Sequence, residues 1–152
     1  MTTTADGLAG AMALAGTDLG HTDWMAITQD RVNAFAAAAD DDQWIHTDVE
    51  RARSGPFGTT IAHGYLTLAL LIPLFGELLA VSGVRMSVNY GLEKVRFPAP
   101  VPVGAKIRLV GRVVSVDEVP GPGVHMRLDG TVEIEGSLKP ACVAQALYRH
   151  YA

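Results

Sequence analysis

The second half of the chain alternates apolar and polar residues with a period of two, which is typical of half-buried β-strands. Residues 124–135 show the pattern most clearly, with apolar side chains at Val124, Met126, Leu128, Val132 and Ile134. The alternation predicts four long strands, at 84–97, 105–119, 124–135 and 141–151. The sequence VPGPG predicts a tight turn between the second and third of them, and FPAPVPVG predicts an extended connector after the first.

The first half of the chain predicts helices instead of long strands. Thr28 stands where a helix N-cap is expected, and Val32, Phe35 and Ala36 fall on one face of the helix that follows. Alanine has the highest helix propensity of all residues, and five of the residues from 34 to 39 are alanines. We expect this helix to end near Ala39.

A second helical segment, residues 64–80, is apolar on almost every side, as a helix enclosed by protein would be. Pro73 is expected to kink this helix or to split it in two. Residues 40–62 have no period and are rich in turn-forming residues, so they predict a long ordered loop with a functional role. Residues 22–27 predict a short strand, and residues 1–21 predict a loose or weakly helical lead-in.

The order of these elements predicts one α+β domain over residues 1–152. Short turns between successive strands make those strands antiparallel neighbours. A curved sheet with one apolar face needs a cover, and the segment 64–80 is the only predicted element apolar enough to provide it. This is the hot-dog architecture, a sheet wrapped around one buried helix. Its open edge strand and its uncovered apolar surface predict that two copies pair edge to edge as a homodimer.

Composition and charge limit the classes of partner. Hydrophobic residues make up 49% of the 152 residues and charged residues 18%, so the chain has enough apolar surface for a large core and is not expected to be disordered. The formal net charge is −4 without any run of Lys or Arg, which argues against nucleic acid as the main partner. The apolar run at 66–81 contains Pro73, Gly76 and Glu77 and is shorter than the roughly 20 residues that a bilayer crossing needs.

The one cysteine, Cys142, excludes an internal disulfide and suits a reducing compartment. It lies in an apolar run, so we interpret it as a small core residue and not as a nucleophile. The opening residues MTTTADGLAGAMALAG have no positively charged segment and do not resemble a signal peptide. We therefore expect a soluble cytoplasmic protein with no membrane partner.

Two polar clusters are not explained by the fold alone, AAADDDQWIHTD at 37–48 and FGTTIAHG at 57–64. Together they make residues 35–71 resemble the MaoC-like dehydratases, the (R)-specific enoyl-CoA hydratases of the hot-dog superfamily. The resemblance continues through KVRFPAPVPVG at 94–104. The matching positions are Phe35, Ala36, Asp41, Ile45, His46, Asp48, Ala52, Phe57, Gly58, Ile61, Ala62, His63 and Gly64.

The sequence QWIH is similar to short single-hot-dog members of the actinobacterial type. The chain departs from the usual family pattern at Asp40, where the family has glycine, and at Gln43, where it has asparagine. Asp40 adds a negative charge and a side chain beside the expected site, which would raise the pKa of the neighbouring carboxyl or alter the loop.

The resemblance implies that Asp41 and His46 hold one water molecule. Adding water across the C=C bond of an enoyl thioester needs a base that takes a proton from water, and it needs a proton delivered to C2. A carboxylate and an imidazole on one water can do both from the same face, which predicts syn addition. The (R) configuration of the 3-hydroxyacyl-CoA product is implied by the resemblance. Gly64 is implied to donate its backbone N–H to the thioester oxygen, at the positive end of the helix dipole.

The resemblance also implies substrate contacts for Gln43, His63, Lys94 and Arg96, with His63 shaping the loop and the helix start. The substrate is acyl-CoA, and no further cofactor is expected. Asp41, His46 and His63 are of types that bind metal ions, but no His-x-x-x-His or cysteine pair supports a metal site. The acyl length and the choice between coenzyme A and acyl carrier protein stay open.

Two other functions remain possible at this point. A hot-dog acyl-CoA thioesterase would share the fold and the thioester ligand but attack the carbonyl carbon. A non-catalytic hot-dog subunit would only complete a partner's tunnel, although such subunits lack the Asp–His pair that this chain keeps as Asp41 and His46.

Overall fold

The computed structural model describes all residues from 1 to 152 and contains eight strands and six helices. The strands are β1 (Thr3–Asp6), β2 (Asp18–His21), β3 (Met25–Ala26), β4 (Leu79–Ser82), β5 (Met86–Arg96), β6 (Lys106–Val119), β7 (Gly123–Ile134) and β8 (Cys142–Tyr151). The helices are α1 (Gly7–Met12), α2 (Gln29–Ala39), α3 (Trp44–Thr47), α4 (Val49–Arg53), α5 (Gly64–Ala69) and α6 (Leu71–Leu78).

The main sheet has the strand order β2-β6-β7-β8-β5, and β3 pairs with β6 beside β2. Every pairing in this sheet is antiparallel. The four long strands predicted from the period of two are therefore confirmed, as is the short strand within 22–27. Strand β5 forms one edge of the sheet, and all but one of its residues are exposed.

Helices α5 and α6 lie against the concave face of the sheet, which confirms the hot-dog architecture. Leu71, Leu74 and Leu78 are 2% exposed or less and belong to one core cluster with the inner side chains of β6 to β8. The ring of Phe75 fits over a cross-strand pair of glycines, Gly111 and Gly130, where an added Cβ would stand 3.0 Å and 3.2 Å from it. The two glycines therefore let the helix approach the sheet closely.

The split of the buried helix is confirmed, although the break falls at Leu70 and not at Pro73. Pro73 lies in the first turn of α6, where a helix tolerates proline, and its missing N–H and its ring disturb the turn that precedes it. The predicted end of the helix was wrong by two residues, because Leu79 and Ala80 already belong to β4.

The predicted enclosure of this helix is incomplete. The side facing away from the sheet is open, with Tyr65 71% and Ile72 47% exposed. One chain therefore covers only part of the apolar surface that the sequence places on residues 64–80.

The expectation of a loose or weakly helical lead-in over residues 1–21 was wrong in part, because one short helix forms there but two ordered strands flank it. Strand β1 pairs in parallel with β4, α1 follows it at once, and β2 adds to the main sheet. Ala11 and Leu19 are buried in the core. These elements are four to six residues long, too short to show a period, and β1 is held by a distant partner strand and not by local sequence.

Helix α2 confirms the predicted boundaries. The Thr28 hydroxyl accepts a hydrogen bond from the Arg31 N–H at 3.2 Å, as an N-cap does. The long loop after it contains the short helices α3 and α4 and is otherwise irregular. None of the six helices has both the length and the apolar character needed to cross a membrane. Cys142 is fully buried, and this burial raises the pKa of its thiol to about 11.

Asp40 terminates α2 in the left-handed conformation, with φ 53° and ψ 32°. This is the conformation that glycine favours at the end of a helix, and it explains why glycine is the usual residue here in the family that the sequence resembles. The carboxylate of Asp40 also lies at the negative end of the helix dipole. Asp40 is therefore locally unfavourable on both counts.

We expect Asp40→Gly to raise the free energy of unfolding by about 1 kcal/mol, because it removes left-handed strain and an unfavourable charge. Urea denaturation measures the change. Asp42→Gly is the matched control, since Asp42 is also exposed and has no positive φ. That control should be neutral or destabilising, and equal effects of the two substitutions would contradict the explanation.

Candidate active site

The two polar clusters of the sequence meet at the start of α5. His46 on α3 is 6% exposed and His63 just before α5 is 2% exposed, whereas Asp41 is only partly buried. One carboxylate oxygen of Asp41 and one ring nitrogen from each histidine lie within 4.8 Å of one another. The structure thus brings Asp41 and His46 together, as the sequence predicts, and adds His63 to them.

The tautomer of His46 follows from its hydrogen bond. Its Nδ1 lies 2.7 Å from the carbonyl oxygen of Ile61, inside the protein. A carbonyl only accepts, so Nδ1 carries the proton and donates it. In the neutral ring Nε2 then keeps its lone pair and can accept a proton or a hydrogen bond. His46 therefore has the chemistry of a general base.

His63 contacts both Asp41 and His46. Its Nε2 donates to the backbone carbonyl of Asp41 at 2.8 Å, and its ring stacks on the His46 ring with a centroid distance of 3.8 Å. The ring of Phe35 also packs against the His63 ring, with 4.8 Å between the two centroids and a tilt of 54°. Nδ1 of His63 is buried without a partner. These contacts indicate that His63 positions Asp41 and His46.

Gly64 begins α5, and its N–H has no hydrogen-bond partner in the chain. A Cβ at this position would stand 3.2 Å from the ring of Phe97, so only glycine fits beneath that ring without displacing it. The backbone of Gly64 and the ring of His46 both line a cavity of about 340 Å³. Its other walls are mostly apolar and include Phe57, Phe97 and Val101. The side chain of Asp41 is not part of the cavity wall.

The other predicted residues, Gln43, Lys94 and Arg96, do not line this cavity. Gln43 is exposed and its side chain makes no hydrogen bond, although its carbonyl accepts from the His46 N–H at 3.0 Å. Lys94 is exposed in a bulge of β5, in the left-handed conformation. Arg96 is exposed and donates to the neighbouring Val95 carbonyl at 2.7 Å. Of these three, only Arg96 lies next to a residue of the cavity, Phe97.

The ring geometry suits a water molecule better than a metal ion. The planes of His46 and His63 differ by only 23°, and imidazole lone pairs lie in the ring plane. Nearly parallel stacked rings therefore do not direct their lone pairs toward one point at the roughly 2.0–2.1 Å that a zinc–nitrogen bond needs. In addition, one nitrogen of each ring already donates a hydrogen bond to a backbone carbonyl.

The sequence analysis missed Gln29, which connects three parts of the site. Its amide nitrogen donates to the backbone carbonyl of His46 at 2.7 Å and to Asn33 Oδ1 at 2.9 Å. Its amide oxygen accepts from the hydroxyl of Thr60, which is 1% exposed, at 2.7 Å. Because Ile61 follows Thr60, Gln29 fixes both partners of the His46–Ile61 hydrogen bond. A polar residue in the first turn of a helix gives no periodic signal that would reveal this role.

Comparison with known proteins identifies relatives along nearly the whole chain. A family model described as MaoC like domain matches residues 11–132. The chain is 52% identical over 149 residues to the 3-hydroxyacyl-thioester dehydratase Z of Mycobacterium tuberculosis, covering 98% of this chain and 99% of that protein. It is 40% identical over 142 residues to the nodulation protein N of Rhizobium leguminosarum, covering 90% of this chain and 86% of that protein.

Solved structures show the same fold. The (R)-hydratase from A. caviae involved in PHA biosynthesis superposes with a TM-score of 0.72 and 25% identity, over 88% of this chain and 94% of that chain. A monoamine oxidase regulatory protein from Archaeoglobus superposes with a TM-score of 0.77 and 22% identity, over 100% of this chain and 99% of that chain.

Proposed function

This chain belongs to the MaoC-like domain family and is a dehydratase of the MaoC and (R)-hydratase type, and from that premise we propose that it is an (R)-specific enoyl-CoA hydratase. It would add water reversibly to trans-2-enoyl-CoA and give (R)-3-hydroxyacyl-CoA. One observation carries the proposal: a ring nitrogen of His46 and a carboxylate oxygen of Asp41 lie within 4.8 Å of each other, and His46 lines the same cavity as Gly64, whose N–H is unpartnered.

The proposed reaction uses one water molecule held between Asp41 and His46. As its oxygen bonds to C3, the lone pair of His46 Nε2 takes a water proton, and the pair of side chains returns a proton to C2. Both new bonds then form on the same face of the C=C bond. A correctly placed acid–base group typically contributes about 10²–10⁴-fold to the rate.

Gly64 is proposed to stabilise the charge that develops on the thioester oxygen. Its N–H opens helix α5 and is free to donate, and the missing Cβ lets the ring of Phe97 pack directly on this backbone. A preorganised donor of this kind is worth about 2.7–4 kcal/mol in the transition state. His63 is proposed to act only by holding Asp41 and His46 in place.

Lys94 and Arg96 are proposed to contact the phosphates of coenzyme A. Both are exposed, and neither forms an ion pair within the chain. Arg96 is placed best for this contact, because it directly precedes Phe97 at the cavity. Gln43, exposed at the start of α3, is proposed to contact the substrate from the loop side.

We expect Asp41→Asn and His46→Gln each to lower kcat/KM for crotonyl-CoA by at least about a hundredfold, because each removes one half of the acid–base pair. Loss of enoyl absorbance measures the rate. Asp42→Asn, the adjacent exposed acid, is the matched control and should stay within about threefold of the unmodified protein. Thiol release from a saturated acyl-CoA, with crotonyl-CoA untouched, would instead indicate a thioesterase.

We expect Gln29→Leu to lower kcat by about tenfold with little change in KM, because His46 and Ile61 lose their shared support but the cavity wall remains. Asn33→Ala is the control, since it removes a hydrogen bond of Gln29 that does not reach the site. Steady-state kinetics on crotonyl-CoA compares the two. If both variants have the same kcat, Gln29 does not position the base.

The active form is proposed to be a homodimer that joins two copies at strand β5. This edge is open, and it carries the exposed apolar side chains Met86, Val88, Tyr90 and Leu92. Leu92 also lines one groove together with Tyr65 and Ile72 on the uncovered side of α5 and α6. A long exposed edge of this kind is a template for pairing with another chain.

We expect Leu92→Lys to shift the protein from dimer to monomer, because it places charges against each other at the paired edges. Size-exclusion chromatography with light scattering gives the mass. Leu138→Lys is the control, because Leu138 is fully exposed in the turn between β7 and β8 and should not affect pairing. A dimer that survives Leu92→Lys but dissociates with Leu138→Lys would place the interface elsewhere.

A further inference from the structure

A second cavity, of about 230 Å³, lies on the same concave side of the sheet but shares no lining residue with the site cavity. It is lined by helix α6, strand β4, Leu128 of β7 and the adjoining ends of β5 and β8. Its apolar walls include Phe75, Leu79, Val81 and Leu128. Four polar side chains also line it, Ser87, Asn89, Tyr148 and His150.

These polar groups are incompletely paired. The Ser87 hydroxyl and His150 Nδ1 are 2.7 Å apart across a β5–β8 pair, and His150 Nε2 is buried with no partner. The side chains of Asn89 and Tyr148 make no hydrogen bond in the chain. Burial lowers the pKa of His150 and raises the pKa of Tyr148 to about 12, so both rings are neutral near pH 7.

An unpartnered buried nitrogen costs roughly 1–3 kcal/mol, which a ligand can recover by supplying the missing partner. Ser87 can donate to or accept from His150 Nδ1, so Nε2 carries either a proton or a lone pair. A hydroxyl group matches both states, because it donates and accepts. No Lys, Arg, Asp or Glu lines the cavity, so an ionised group there would be unpaired.

The cavity lies along the same helix pair as the proposed active site. At 1.5 Å per residue, Ile72 and Gly76 in its wall are roughly 12–18 Å along the helix from Gly64. A mostly apolar groove lies between this cavity and Gly64 along the helix pair. It begins at Tyr65, directly after Gly64, and it shares Ile72, Asn89 and Tyr148 with the second cavity. An extended chain anchored at Gly64 therefore has an apolar path to His150.

From this arrangement we propose that the protein selects acyl groups that carry a neutral hydroxyl near their far end, with His150 as the residue that recognises it. The inference rests on the proposed function and makes it more specific. The apolar groove would hold the middle of the acyl chain. Ser87 would set the orientation of the His150 ring, and Tyr148 and Asn89 would offer further hydrogen bonds to the same hydroxyl.

The test compares two twelve-carbon trans-2-enoyl-CoA substrates, one with and one without a terminal hydroxyl. We expect kcat/KM to be about tenfold higher for the hydroxylated substrate. His150→Phe should abolish this preference, because it keeps the ring but removes the hydrogen bond, and His150→Gln should retain part of it. Arg149→Gln is the control, because successive side chains of β8 point to opposite faces and Arg149 stacks on Tyr90 outside the cavity.

Crotonyl-CoA is too short to reach the cavity, so its turnover should be the same in all these variants and tests the proposed function by itself. Calorimetric binding of the saturated twelve-carbon CoA thioesters, with and without the hydroxyl, needs no turnover and tests the recognition alone. In the unmodified protein, equal kcat/KM values for the two substrates, or equal affinities for the two saturated thioesters, would overturn the inference. So would a preference for the hydroxylated substrate that persists undiminished in His150→Phe, since another group would then recognise the hydroxyl.

Discussion

The structure depends on the burial of one apolar helix pair that a single sheet covers on one side only. Leu71, Leu74 and Leu78 point into the sheet and are almost completely buried, whereas Tyr65 and Ile72 face outward. Burying an apolar side chain of this size is worth about 1.5–3 kcal/mol, so the covered side fixes the helix against β6, β7 and β8. The uncovered side provides the groove and the surface that remain available for a ligand or a second copy.

This burial also fixes the position of the candidate site. The start of α5 cannot move once the helix is packed, so the N–H of Gly64 points into the site cavity from a rigid element. The loop residues are then fixed to this point by hydrogen bonds to backbone carbonyls, His46 to Ile61 and His63 to Asp41. Gln29 adds the connection from α2. The geometry of the candidate site is thus set by backbone positions that the core determines.

The sequence predicted the parts that follow from local pattern. The period of two located all four long strands, Thr28 located the start of α2, and the DDDQWIH and IAHG clusters identified Asp41, His46 and Gly64 as candidates. The MaoC-like family match confirms the resemblance on which their roles were assigned. Their roles in catalysis remain predictions.

The parts that were missed depend on contacts between distant segments. Strand β1 exists because β4 offers it a parallel partner, and four residues are too few to show a pattern. Gln29 acts through the carbonyl of His46, which no side-chain motif encodes. Uncovered apolar surface was predicted, but its position at Tyr65 and Ile72 was not, because a uniformly apolar helix does not show which of its sides the sheet covers. Each of these features requires the three-dimensional arrangement of the chain.

The edge strand and the candidate site are also physically coupled. Strand β5 ends at Arg96, and the next residue, Phe97, packs over Gly64 as part of the cavity wall. Just before this point the strand bulges at Lys94, which adopts a strained left-handed conformation and turns the chain toward the site. A partner that pairs with β5 would hold this segment in place and so hold Phe97 over Gly64. When the edge is unpaired, the ring of Phe97 packs on its outer side against Tyr65, which is itself mostly exposed. Assembly at β5 would therefore stabilise the wall of the cavity without contributing a catalytic group.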